Sequence, residues 1–274
     1  MRIAPGVVAV LLVVSGTLMA QAPNGRAILV GAGVEVPRGG PEAAFDAWLT
    51  GPPPIPPGAI TQLIVGMGPV GNVPRVRNAY AFGVLAGRSA RTVAPGELAG
   101  AGIALISMVV SDDRSTRVAG TRVAGRVFAT PVDGGPMPVR PVGLIEAVVM
   151  LLNAKDEREQ AASMEAIGLL GETAAVPSLT EVYTRHRAKN NRQMAGAALE
   201  ALARIGHPQS APLVKELATD GWGDRKDATG LVVAYAREKY LKDGSVKSLQ
   251  DAAGDRELGP RARAYLAELG LPTP

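Results

Sequence analysis

The sequence predicts an α+β molecule in two parts: an N-terminal antiparallel β domain over residues 23–138, a sandwich or small barrel, and a short α-solenoid of helix pairs over residues 139–274. Two observations carry this. In the first part apolar residues alternate with period two, glycine and proline are dense, and lysine is absent. The second part repeats itself when slid by 35 positions. A third observation concerns the start of the chain, where residues 1–22 read as a signal peptide.

That segment begins Met1-Arg2, runs apolar from Val7 to Val14, and reaches the small-x-small pattern Ala20-Gln21-Ala22. Crossing a bilayer takes roughly 20 apolar residues, and Pro5, Gly6 and Gly16 interrupt this shorter run, so a cleaved leader is expected rather than an anchor. The chain has no cysteine, which removes disulfides and a lipidated cysteine alike.

Five candidate strands follow. Ile28, Val30, Ala32, Val34 and Val36 share one parity, as do Val76, Asn78, Tyr80, Phe82 and Val84; Ile60–Val65, Ile103–Val110 and Arg122–Ala129 supply the other three. Pro41 to Leu49 reads as one short helix. The stretch from Thr130 to Pro141 is a linker, and Leu144 to Leu152, apolar almost all round, is a buried helix.

From Asp156 to Leu217 the repeat is direct. Ala162 falls on Ala197, Met164 on Leu199, Glu165 on Glu200, Ile167 on Leu202, Gly171 on Gly206 and Pro177 on Pro212. Two such helices cannot bury their apolar stripes alone, so neighbours must stack into a row. Gly171 stands where a left-handed helix stop is needed. Pro141, Pro177 and Pro212 each precede an apolar run and mark second helices. A weaker third unit spans Asp227 to Ala253, and Pro260 to Leu269 closes the row.

This pattern resembles HEAT-like repeats of the phycobilisome-lyase type. The resemblance implies that second helices line a concave, partner-binding face. It points to Thr180 and Thr184, Lys215 and Glu216, and Lys247 and Asp251 as contact residues, and Trp222 joins them as a large aromatic in a repeat loop.

The net charge of +4 is unevenly placed. Residues 23–139 hold ten arginines against seven acids, while residues 140–274 are balanced, so no basic face of the kind nucleic-acid binders show is expected. One local cluster, Arg185-His186-Arg187-Ala188-Lys189-Asn190-Asn191-Arg192, reads as a solvated inter-repeat loop or, functionally, as an acidic-ligand or phosphate-lipid contact that includes Arg187.

Catalytic signals are thin. Gly66-Met67-Gly68-Pro69-Val70-Gly71 has dinucleotide-loop spacing, but the expected context is a hairpin turn, with Pro74 breaking any following helix. Asp112-Asp113 is expected to tip a hairpin, and Asp220, Asp224 and Asp227 to cap a helix. With two histidines, His186 and His207, placed in loops, no zinc site is expected, and no cofactor. The expected function is an exported, periplasmic or extracellular, non-enzymatic scaffold for a protein partner. The alternatives are a secreted enzyme with its site in the β domain, and a bilin lyase-like chaperone of the kind the resemblance implies.

Overall fold

The computed structural model describes residues 24–46, 54–68, 71–87, 93–130, 137–205, 246–254 and 259–273, with isolated positions 207, 209, 210, 213 and 244 between them. No strand occurs among these residues. In place of the β domain stand helices α1 (Gly25–Gly31), α2 (Pro41–Asp46), α3 (Ala59–Gly66), α4 (Asn72–Ala86), α5 (Pro95–Val109) and α6 (Arg114–Val127). They lead into α7 (Leu144–Met150), α8 (Glu157–Leu170), α9 (Val176–Ala188) and α10 (Arg192–Ile205), and a last pair, α11 (Lys247–Ala253) and α12 (Gly259–Glu268), follows.

The period-two reading failed for a physical reason in each place. In α1 the buried positions are Gly25, Leu29 and Ala32, three to four apart, while Val30 faces water. Residues 76–84 lie in α4, which neighbours enclose on nearly every side; Asn78 is as buried as Tyr80 and Phe82, so alternation there marks no face. Pro74 is the third residue of α4, inside the first turn, where the helix leaves N–H groups unused. The Ile60–Val65 stretch lies in α3, which buries Ile60 and Leu63 three apart, and the Ile103–Val110 stretch lies mostly in α5, which buries Ala101, Leu105 and Met108. Arg122–Ala129 covers the end of α6 and the turn after it, and Asp113 caps that helix instead of tipping a hairpin, accepting from Thr116 N at 2.8 Å. The Thr116 hydroxyl and amide bonds hold the Asp113 carboxyl below the usual carboxylate range.

The helices form two layers. In one, α4, α6, α8 and α10 stack in order, each against the next; in the other, α3, α5, α7 and α9 lie alongside them, with α1 and α2 covering α4. A continuous core runs from Leu29 to Leu202. It passes through the point where the two parts of the chain were expected to meet, since α6 packs on α8 there. Arg140 helps to close this joint, donating to Phe128 O and Leu170 O.

Small residues set the helix spacing. A Cβ on Gly125 would fall 2.5 Å from Ala166 Cα, and one on Gly168 would fall 2.9 Å from Ala201 Cα, so glycine lets consecutive first-layer helices touch backbone to backbone. This substitution of glycine and alanine for larger apolar residues is also what blurred the helical period in residues 23–138. The repeat itself is visible as register: α8 and α10 begin and end 35 positions apart. Asp156 caps α8 through Arg158 N, and Gly171 ends it at φ 64°, the left-handed stop the sequence called for. A small separate core of Leu249, Ala253, Ala262, Tyr265 and Leu266 holds α11 to α12. Tyr265 Oη donates to Glu200 Oε1 at 2.9 Å, and the Arg204 guanidinium lies over the Tyr265 ring, joining this pair to α10.

Candidate protein-binding face

The two layers differ in chemistry because their sequences do. The first layer is rich in arginine, and much of it is engaged. Arg114 pairs with Asp156 at 2.8 Å, Arg117 with Glu159 at 2.6 Å, and Arg122 with Glu165 at 3.0 Å and Asp46 at 2.6 Å. Burial opposes the Arg122 charge, but Glu165 and Asp46 outweigh it and raise its pKa. Burial pushes the neighbouring Tyr80 hydroxyl up to about 12. Arg126 lies over the Phe45 ring and donates to Phe45 O. These groups cross-link α2, α4, α6 and α8, while Arg77 and Arg158 of the same layer face water.

The second layer is almost uncharged in its first half. Neither α3 nor α5 contains a lysine or arginine, and the acid of α5, Glu97, accepts from the Thr61 hydroxyl at 2.8 Å. Each helix shows water a line of residues at helical spacing: Thr61 and Val65 on α3, Ala99, Ile103 and Ser107 on α5, Glu146 and Met150 on α7 with Val142 just before it, and Pro177, Glu181 and Thr184 on α9. Large apolar side chains stand out along these lines. Ile103 is 70% exposed, Met150 72% and Val142 99%. The elements that carry these lines touch one another: a Cβ on Gly102 of α5 would fall 2.6 Å from Pro141, and Arg185 of α9 donates to Leu152 O and Asn153 Oδ1 beyond α7.

The contact residues read from the sequence fall variously. Thr184 is exposed on this face, its hydroxyl donating to Thr180 O at 2.9 Å; Thr180 is half-buried and donates to Val176 O. Arg187 is exposed in the last turn of α9. Lys247 and Asp251 are exposed one turn apart on α11. Lys215, Glu216 and Trp222 lie outside the described residues, as do residues 1–22 and the Asp220 group.

The basic cluster is not a loop throughout. Arg185 to Ala188 belong to α9, and His186 is buried with Nε2 2.8 Å from Gln160 Oε1. Asn191 then caps α10 through Met194 N and donates to Glu157 at 2.7 Å, so the segment fastens one repeat to the next. The glycine-rich motif stands between two helices, neither in the hairpin expected of it nor between the strand and helix of a dinucleotide loop: Gly66 ends α3, and Gly71 at φ 108° precedes α4. Gly66 is small because Asn78 packs on it and donates to its carbonyl at 3.2 Å.

Sequence reasoning missed Ile103, Val142, Glu146 and Met150. The repeat carried the signal for part of this face, since Glu146, Glu181 and Glu216 stand 35 apart. Ile103 was hidden by the strand reading of α5.

Residues 144–234 match the family of HEAT repeats. Helices α7 to α10 lie within this match, so that segment carries HEAT-like repeats. No curated protein matches the chain. A solved structure of an engineered protein aligns with 77% of this chain and 96% of its own length, at 15% identity and a TM-score of 0.41, a likeness too loose to argue from. Among the described residues no helix is long and apolar enough to cross a membrane.

Proposed function

We propose that the chain is an exported, non-enzymatic scaffold that holds a protein partner against the exposed lines of its second helix layer. One observation carries this: large apolar side chains stand in water along adjacent helices of that layer, with little charge around them, whereas Arg117 and Arg122 of the first layer are drawn into ion pairs between helices. Contiguous exposed apolar surface is a mark of association sites. HEAT repeats typically mediate protein–protein contact, which supports the same reading. Export rests on the Val7–Val14 apolar run and the Ala20-Gln21-Ala22 site, and the mass of the mature chain recovered from cells checks it. The enzyme alternative placed its site in a β domain, and the described residues of that part form helices and no strand.

Photo-crosslinking in the native cell tests the reading. A photoreactive residue is placed in turn at Ile103, Thr184 and, as a first-layer comparison, Arg158. Protein adducts at the first two positions and not the third are expected. Adducts at all three alike, or only at Arg158, would overturn the assignment of the face.

A further inference from the structure

Resting on that reading, we infer that the partner docks as a basic amphipathic helix. The anchors and the charges argue together. Ile103, Val142 and Met150 give exposed apolar contact points on adjoining helices, the arrangement into which an amphipathic helix lays its own apolar stripe. Beside them stand Glu146 and Glu181, both exposed, and neither has an ion-pair or hydrogen-bond partner among the described residues. No lysine or arginine lies within α3, α5 or α7. Arg140, the nearest cation before α7, is turned inward onto Phe128 O and Leu170 O. Over α3, α5 and α7 the face therefore supplies apolar area and negative charge, and the guanidiniums that reach it from neighbouring helices are engaged, Arg75 with Ser107 Oγ and Met67 O and Arg185 with Asn153 Oδ1 and Leu152 O.

That combination sorts the possible occupants. A second copy would bring Glu146 and Glu181 against the same two glutamates. A lipid surface of anionic headgroups is recruited by Lys and Arg beside apolar side chains, and this face has acids there instead. An acidic segment would be repelled. A helix with leucine-like residues on one side and lysine or arginine on its flanks satisfies both parts.

The test uses the full chain and a labelled synthetic 18-residue peptide of leucine and lysine, patterned for one apolar helical face. A leucine/glutamate peptide of the same pattern is the comparison. Binding is read by fluorescence anisotropy at low and high salt. We expect the lysine peptide to bind at least ~10-fold more tightly than the glutamate peptide, with the difference shrinking in salt, equivalent to about 1.4 kcal/mol. Glu146→Lys with Glu181→Lys should weaken it at least ~10-fold. Glu35→Lys with Glu42→Lys changes the charge equally at segments beside α4, and should leave a clear advantage over the face variant. Ile103→Asp with Met150→Asp should abolish binding, with helix content checked by circular dichroism; both sites are exposed, so folding is expected to persist.

Equal binding of both peptides, or equal loss in the two charge variants, overturns the inference. So does tight binding to vesicles of anionic lipid, or a concentration-dependent dimer broken by the Ile103 and Met150 changes. Absence of peptide binding alongside crosslinks at Ile103 and Thr184 would sink the basic-helix partner and leave the proposed face standing. Absence of both would sink the two together.

Discussion

His186 shows how one side chain can tie a repeat joint to pH. Its Nε2 meets Gln160 Oε1, Gln160 Nε2 donates to Ala154 O at 2.6 Å, and His186 O accepts from Asn191 N. Nδ1 is buried and finds no hydrogen-bond partner among the described residues. Burial, with Arg185 and Lys189 adding repulsion and Glu157 opposing it, lowers the His186 pKa below 6.5. A depressed folded-state value favours the neutral ring in the native protein. Its contribution is present above the unfolded value near 6.5 and is lost as pH falls through the lower folded value. Urea melts at pH 7.5 and 5.0 should show a larger drop in midpoint for the parent than for His186→Gln. Equal drops would show that the buried ring is not the titrating group. The sequence could not show this, because a histidine four residues before Asn190-Asn191 reads as loop, while only the packed helix places its ring against Gln160.

Between elements, the α6–α8 contact combines backbone approach at Gly125 with a line of ion pairs, and the pairs are not equivalent. Arg114–Asp156 is open to water and contributes little. Arg117–Glu159 is different: Glu159 is buried at 5% exposure, and Arg117 also donates to Ser111 O and Asp112 O. Removing one partner strands a charge, so Arg117→Met or Glu159→Met alone should cost about 3–5 kcal/mol. The double variant should cost less than the two separately by at least about 1 kcal/mol. Strict additivity in denaturant melts would mean the pair is not coupled. Here the sequence was legible on one side only. The first turn of α8 showed its cap Asp156 and its place in the repeat, but α6 was taken for a turn and a strand. Its contact positions are largely glycine, alanine and threonine, whose weak hydropathy carries little period; size, not greasiness, fixes that helix.

For the whole molecule, a row in which each helix touches chiefly its neighbours should open from its ends. The core running from Leu29 to Leu202 binds α4, α6 and α8 into one body, whereas α11 and α12 share a small core joined to α10 through Tyr265. Native-state hydrogen exchange should give α4, α6 and α8 the highest protection and let α11 and α12 open at lower free energy. Equal protection throughout would show one cooperative unit. The repeated half was readable because equivalent positions sit 35 apart and each must fill the same place. The N-terminal half packs by the same rules without repeating its letters.

Consider finally the joint where Asn191 caps α10 and reaches back to Glu157. Both residues lie at matching ends of one unit, so a tandem copy of residues 157–191 would arrive with each new helix already furnished with its cap and its link to the unit before it. The molecule is a ruler with interchangeable gradations: duplication would lengthen the row while each division kept the same cap and the same link.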